Sequence, residues 1–195
     1  MPRYRPRVLR AALLVTLLTL LAACAPAAVT PPPGTTAEPT ASARPRDIDI
    51  SGILPCELLT DAQRAELRLD GEPRLSSGND GLFGQARSCN ISRFDSRPAV
   101  RLSITLGVEY GIEQFGDPRL AVPAEPIEVA GYPAVLSPPP PSMPTNCLVA
   151  VDVAPGQMVG VLLSDGGGDP PVPLDQLCRD VPRFADAVMT TLVAR

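Results

Sequence analysis

The chain begins with a segment that decides which residues are left to form a folded core. Its first ten residues contain four arginines and no acidic residue, and residues 11–21 are apolar apart from two threonines. A charged region followed by a short hydrophobic region is typical of an export signal. Because a helix needs about 20 apolar residues to cross a bilayer, we expect residues 1–23 to be a signal peptide rather than a permanent anchor.

The hydrophobic region ends in Leu21-Ala22-Ala23-Cys24, which fits the bacterial lipobox. In that motif a branched apolar residue and two small residues precede a cysteine whose thiol accepts a diacylglyceryl group. The motif predicts a lipoprotein anchored through Cys24 to the extracytoplasmic face of the cell membrane, since two or three acyl chains on one residue anchor stably. The alternatives are an ordinary secretory signal cut after Ala23, with an incidental cysteine, or a short membrane helix.

Residues 24–46 are rich in proline and threonine and contain almost nothing that would fill a core. This composition predicts a disordered or extended tether behind the lipidated cysteine. Threonine and serine among prolines also resemble an O-glycosylated stalk, and a plain linker is the alternative. Apolar periodicity starts at Asp47, so residues 47–195 are the predicted single globular domain, which is long enough to bury a core.

The residue types that the chain lacks narrow its chemistry. It contains no histidine, and all 17 basic residues are arginine. The absence of histidine excludes Ser-His-Asp triads and metal sites with histidine ligands. The absence of lysine excludes Schiff-base chemistry and a phosphate-binding loop of the type that needs a lysine. The net charge of −4 becomes −8 once the four arginines of the signal are removed, which disfavours nucleic acid as a partner. We therefore expect a non-catalytic protein that needs no cofactor or metal.

Helix and strand signals follow one another after residue 47. Thr60 and Gln63 form a capping box that predicts a helix over residues 61–69. A helix is also predicted over residues 174–193, either kinked at Pro182 or restarted there with Asp180 as its N-cap. A polar loop is expected at 76–84 and a weaker helix at 109–115, and apolar alternation predicts strands at 88–94, 99–106, 126–129, 133–136, 147–153 and 158–163. This order predicts an α+β domain with a mainly antiparallel, twisted sheet and the N- and C-terminal helices packed on one face.

Four cysteines remain in the predicted domain. An even number in an exported chain predicts two disulfides, for which three pairings exist. Cys56 lies just before the first predicted helix and Cys178 near the start of the last, whereas Cys89 and Cys147 both lie at the start of strands. We therefore predict the pairs Cys56–Cys178 and Cys89–Cys147. A redox or metal role is the alternative, and without histidine a zinc site would need all four thiolates.

Several of these segments together resemble an actinobacterial lipoprotein family catalogued as domain of unknown function 3558. The resemblance lies in Pro55-Cys56-Glu57-Leu58-Leu59-Thr60, Cys89, Gly131-Tyr132-Pro133-Ala134-Val135, Cys147 and Cys178. It covers about residues 53–192. Where the family often has tryptophan two residues after the strand cysteine, this chain has Ile91. The resemblance implies the fold, export and anchoring, and it implies no catalytic residue; the all-arginine, proline-rich composition also suits an actinobacterial genome.

Other motifs favour a structural interpretation over a chemical one. The run from Asp165 to Asp169 encloses three glycines and is either a flexible loop or a source of oxygen ligands for Ca²⁺. The acidic pairs Glu125 with Glu128 and Asp175 with Asp180 suit a solvated acidic surface better than acid–base catalysis. Tyr132 either lines a pocket or, as we expect, packs beneath its hairpin.

These observations predict an exported, membrane-anchored lipoprotein that acts as a non-catalytic binding or interaction module at the cell envelope. Its partner would be an envelope protein, a lipid or a cell-wall component, and we expect a monomer. The alternative is an envelope hydrolase that uses carboxylates alone.

Overall fold

The computed structural model describes residues 43–116, 123–139 and 145–195. The predicted signal peptide, the lipidation site Cys24 and the tether up to residue 42 lie outside the described residues, as does part of the proline-rich loop after residue 139. No helix in the described ranges is long and apolar enough to cross a membrane.

Helices and strands follow one another in the described ranges broadly in the order that the sequence pattern predicts. In chain order they are a 3-10 turn (Pro55–Leu58), helix α1 (Asp61–Glu66), strands β1 (Arg74–Asp80), β2 (Gly84–Arg93) and β3 (Val100–Gly107), a second 3-10 turn (Ile112–Gly116), strands β4 (Glu125–Val129), β5 (Tyr132–Ser137), β6 (Asn146–Ala154) and β7 (Gln157–Asp165), and helix α2 (Leu174–Val193).

The seven strands form one sheet in the order β1-β2-β3-β7-β6-β5-β4, with every neighbouring pair antiparallel. The strongly apolar strand β7 is the middle strand of the seven. Strands β4 and β5 are joined by a two-residue turn in which Ala130 and Gly131 have φ angles of 50° and 80°, the backbone that tight hairpins require. The predicted α+β class and antiparallel sheet are confirmed.

Both helical regions pack on one face of this sheet, here called the core face. Helix α2 lies against β6 and β7, and the first 3-10 turn lies against β2 and β3. On the helix side, Leu177, Val181, Phe184, Val188 and Leu192 follow helical spacing and are all buried. Burying this stripe against the alternate apolar residues of the strands supplies the main driving force for folding.

Two hydrogen-bonding arrangements fix the helices in place. In α1 the predicted capping box is confirmed, because Thr60 Oγ1 accepts from the Gln63 amide at 3.2 Å and Gln63 Oε1 accepts from the Thr60 amide at 2.8 Å. The Gln63 amide group also donates to the Ala187 carbonyl at 2.8 Å, which joins α1 to α2. Helix α1 is shorter than predicted, since it ends at Glu66 and the chain turns through Arg68 at a φ of 56°.

Helix α2 runs through Pro182 without interruption, so the predicted restart with Asp180 as N-cap is wrong. Proline lacks one backbone donor and therefore leaves the Cys178 carbonyl without its helical partner. The stripe of apolar side chains buried against the sheet outweighs that loss.

The folded domain begins a few residues before the predicted boundary at residue 47. Arg44 Nη1 donates to Asp152 Oδ2 at 2.6 Å and Arg44 Nε donates to Asp47 Oδ1 at 2.8 Å. The Ile48 amide then donates to the Val153 carbonyl at 2.8 Å, at the end of β6. The last residues of the predicted tether therefore lie against the sheet.

The disulfides join Cys56 to Cys89 and Cys147 to Cys178, so the predicted pairing is wrong. Cys89 on β2 and Cys147 on β6 are separated by β3 and β7, three strand spacings or about 14 Å. Cys178 lies near the start of α2, whereas Glu57, next to Cys56, accepts a hydrogen bond from Arg195 at the other end of the helix. Cys56 in the first 3-10 turn therefore bonds to Cys89 on β2, and Cys178 in α2 bonds to Cys147 on β6.

Candidate functional site

The two faces of the sheet differ in what covers them. Along β3, Leu102, Ile104 and Leu106 point to the core face and are buried beneath the helices. Ser103 and Thr105 point to the other side, here called the open face, which no helix of eight residues or more in the described ranges covers. A second, smaller apolar cluster that includes Phe83, Phe115, Leu148 and Met158 occupies one part of the open face.

The rest of the open face forms a groove of about 420 Å³. Its floor is the strands themselves, and its walls are the β1–β2 connection and the start of the segment after β5. The lining residues are Ser76, Asp80, Leu82, Phe83, Ser88, Asn90, Ser103, Thr105, Ser137, Pro138, Pro139, Asn146, Leu148 and Leu162. Most of the polar groups are neutral hydroxyls and amides, which can each donate or accept a hydrogen bond.

Hydrogen bonds between neighbouring strands hold several of these polar side chains in position. The hydroxyls of Ser88 and Thr105 lie 2.9 Å apart, across β2 and β3. Asn90 Nδ2 donates to Ser76 Oγ at 3.2 Å, across β2 and β1. These contacts leave the remaining lone pairs and hydroxyl protons of the groove available to a ligand.

Phe83 closes one end of the groove. Its ring lies on Gly107 of β3 and Gly160 of β7, where an added Cβ would overlap the ring. Asp80 fixes the approach to this ring, since its Oδ1 accepts from the backbone amides of Leu82 at 2.8 Å and Phe83 at 3.3 Å. The carboxylate that lines the groove is thus engaged in shaping the loop that carries Phe83.

A second cavity of about 560 Å³ continues the groove along β2 and shares Asn90 with it. It is lined by Gly71, Glu72, Arg74, Asn90, Ser92, Phe94 and Arg101. The Phe94 side chain is 53% exposed, and its backbone is held by Asp70, whose Oδ1 accepts from the Phe94 amide at 2.8 Å. That bond, together with further bonds from the amides of Asp95 and Ser96, lowers the pKa of the Asp70 carboxyl.

The carboxylate pairs singled out in the sequence do not converge. Glu125 and Glu128 are three residues apart on β4 and therefore point to opposite faces. Asp175 forms an ion pair with Arg179 one turn along α2, and the hydrogen bond between them lowers the pKa of Asp175. Asp180 is five residues from Asp175 on the same helix, so the two are not neighbours on its surface.

The glycine loop after β7 is organised around one carboxylate. Asp165 Oδ1 accepts from the Val172 amide at 3.0 Å and Oδ2 from the Gly167 amide at 3.2 Å. Both of its oxygens therefore stabilise the loop. Among the described residues, no group of three or more acidic or cysteine side chains is arranged to hold a metal ion.

Tyr132 lies in the main core, not in the groove. Its side chain is 1% exposed, and its hydroxyl has no hydrogen-bond partner in the described part of the chain. The packing interpretation of this residue is confirmed.

The groove residues themselves were not singled out in the sequence, although a signal was present. Serine, threonine and asparagine occupy the non-core positions of two consecutive strands, at Ser88, Asn90, Ser103 and Thr105. The predicted loop at residues 76–84 was wrong, because residues 74–80 form the edge strand β1 beside this surface.

Comparisons with known proteins agree with the resemblance in the sequence. A family model described as "Protein of unknown function (DUF3558)" matches residues 19–191, which is most of the chain. No curated protein and no solved structure matches the chain. The matched region includes the whole described domain up to the last turn of α2, with both disulfides. The chain therefore belongs to the DUF3558 family.

Proposed function

We propose that this protein is an exported lipoprotein, anchored through Cys24, that binds a ligand in the groove on the open face of its sheet and catalyses no reaction. The observation that carries the proposal is the groove itself. A concave site with an apolar end and several neutral polar groups has the make-up of a small-molecule binding site.

The groove differs from the rest of the surface in having sheltered apolar residues and polar groups that are already held in position. Leu148 is 7% exposed and Phe83 is 5% exposed, so the apolar end is sheltered from water. Ser88 and Thr105 are held 2.9 Å apart at its centre. Such prearranged groups lower the cost of ordering on binding, because the protein's side chains are already fixed.

The carboxylate pairs singled out in the sequence do not converge among the described residues, so they give no support to the alternative of a hydrolase that uses carboxylates alone. Such an enzyme needs two carboxyl groups about 5–9 Å apart around one bond. In the groove, Asp80 is the carboxylate present among the lining residues, and it is bonded to two backbone amides.

The anchor is supported by the lipobox Leu21-Ala22-Ala23-Cys24 at the end of the hydrophobic region. Metabolic labelling with radioactive palmitate tests it. The full chain should incorporate label and fractionate with the membrane, and Cys24→Ala should lose both properties. Label that persists in Cys24→Ala would contradict the anchor.

The binding role is tested by extracting small molecules from the full-length protein purified from its own membrane. A groove-filling variant, Ser103→Trp, serves as the comparison, and Ser77→Trp on the core-facing side of the edge strand β1 is the matched control. We expect a bound species to be enriched in the wild type and in Ser77→Trp and to be lost from Ser103→Trp. Identical extracts from folded samples of all three proteins would refute the binding role of the groove.

A further inference from the structure

We propose that the ligand of this groove is an amphiphile with an anionic headgroup, which lies across the strands with its head between Arg74 and Arg101 and its apolar arm on β7 and β6. The proposal rests on the proposed binding function and specifies the chemical class of the ligand. It is carried by the order of side chains along one row of the open face and by two guanidinium groups at one end of that row.

The row follows from the register of the sheet. Arg74 pairs with Asn90, and Asn90 pairs with Ser103. Ser103 then pairs with Leu162, and Leu162 pairs with Leu148. Residues that pair across neighbouring strands point to the same face. Across five strands the open face therefore changes from cationic, through neutral polar, to apolar.

The dimensions of this row suit an extended molecule. Four strand spacings separate Arg74 from Leu148, or about 19 Å. The apolar portion from Ser103 to Leu148 spans two spacings, or about 10 Å. Phe83 adds an aromatic wall at this end, where its ring rests on Gly160. A short acyl or isoprenoid arm would lie along this portion and bury apolar surface, which favours binding by roughly 25 cal/mol per Å².

The opposite end of the row is suited to an anion. Arg74 on β1 and Arg101 on β3 lie on either side of β2, whose Asn90 and Ser92 lie between them on the same face. Among the described residues neither guanidinium takes part in an ion pair. Glu72 also lines this cavity, so the two arginines leave one positive charge in excess.

This cationic end stands out against the charge of the whole chain, which is −4. Five other described arginines, Arg44, Arg64, Arg179, Arg183 and Arg195, are ion-paired with carboxylates. Arg74 and Arg101 instead share one cavity and have no such partner among the described residues. Guanidinium groups bind phosphate, sulfate and carboxylate through paired hydrogen bonds. A neutral ligand would leave both arginines unused, whereas an anionic headgroup accounts for them and for the amide and hydroxyl between them.

The test uses the full-length lipoprotein in phosphatidylcholine nanodiscs, with empty nanodiscs as the blank, and isothermal titration calorimetry. The probes are dihexanoylphosphatidic acid, dihexanoylphosphatidylcholine with the same acyl arms but no net charge, and glycerol 3-phosphate with no acyl arm. We expect the phosphatidic acid to bind at least about tenfold more tightly than either of the other probes, a difference of about 1.4 kcal/mol.

Three variants locate the binding. The double variant Arg74→Gln/Arg101→Gln should remove the preference for the anionic probe, and Leu162→Ser should weaken both acylated probes. Arg179→Gln makes a single charge change on α2, on the opposite side of the sheet, and should alter neither. Thermal unfolding of each variant verifies that it is folded.

The outcomes separate this inference from the proposed function. If both acylated probes bind equally and only Leu162→Ser weakens them, the groove binds a neutral amphiphile and the anionic inference is overturned while the binding function stands. If glycerol 3-phosphate binds as tightly as the phosphatidic acid, the site recognises free phosphate and the amphiphile is overturned. If no probe binds but the extracts still contain a species that Ser103→Trp loses, the anionic amphiphile is overturned and the binding function stands. If neither experiment yields a ligand, as expected when a second copy or the chain's own tether fills the groove, both proposals are overturned.

Discussion

Removing the Cys147–Cys178 disulfide should destabilise the domain by an amount that its loop length sets. The bond closes a loop with a sequence separation of 31 residues, and the chain-entropy relation gives about 3.7 kcal/mol for a loop of that size. For a domain of this size such a loss lowers the melting temperature by about 7–15 °C. The Cys147→Ala/Cys178→Ala variant should therefore unfold at clearly lower guanidinium chloride concentration than the wild type in oxidising buffer.

The same series of variants tests the pairing itself. Cys147→Ala/Cys178→Ala removes one complete disulfide, so no free thiol should arise in the domain. Cys89→Ala/Cys147→Ala removes one partner from each bond and should leave two free thiols, at Cys56 and Cys178, with about twice the loss of stability. The reverse result, free thiols in the first variant and none in the second, would refute the pairing and with it the placement of α2 on the sheet.

Three further substitutions test other parts of the account. Tyr132→Phe should stabilise the domain by about 1 kcal/mol in chemical denaturation, because it removes a buried hydroxyl that has no partner among the described residues; a loss of stability would show that the hydroxyl is bonded. Asp70→Asn should destabilise the domain at neutral pH in melts across a pH series. Hydrogen bonds from backbone amides hold the pKa of the Asp70 carboxyl below its ordinary value. The contribution of the carboxylate to stability is therefore present above the ordinary aspartate pKa and is lost as the pH falls through the lowered native pKa. The gap between variant and wild type should narrow over that acidic range, and a gap constant with pH would contradict this. Gly160→Ala should displace the Phe83 ring from β7, because the added Cβ would overlap that ring. The variant should therefore bind acylated probes more weakly, and unchanged binding would show that Phe83 does not shape the groove.

The sequence allowed most of the strands to be predicted because their two sides differ in polarity. Strand β3 alternates Leu102, Ile104 and Leu106 with polar residues, and the helices bury one side of it. Strand β1 was not predicted because its two sides do not differ in this way. All seven of its residues are exposed, so it has no apolar side, and it is held by main-chain bonds to β2 that leave no pattern in its composition.

The disulfides and the groove could not be predicted because both depend on the order of strands in space. Strand β7 follows β6 in the chain but lies between β3 and β6 in the sheet. This arrangement moves Cys89 away from Cys147. It also places Leu162 beside Ser103 and so brings polar and apolar groups into one groove. The absence of histidine and lysine limited the chemistry, but it gave no information on where the remaining polar groups would meet.

The central claim is that the open face of the sheet binds an amphiphile with an anionic headgroup, and photocrosslinking tests it most directly. A phosphatidic acid that carries a diazirine on its acyl arm is irradiated with the full-length protein in nanodiscs, and the labelled peptides are identified by mass spectrometry. We predict that labelling falls on peptides of β6 and β7 that include Leu148 and Leu162, and that excess unlabelled phosphatidic acid suppresses it. Labelling of α2, or labelling that unlabelled lipid does not suppress, would contradict the claim.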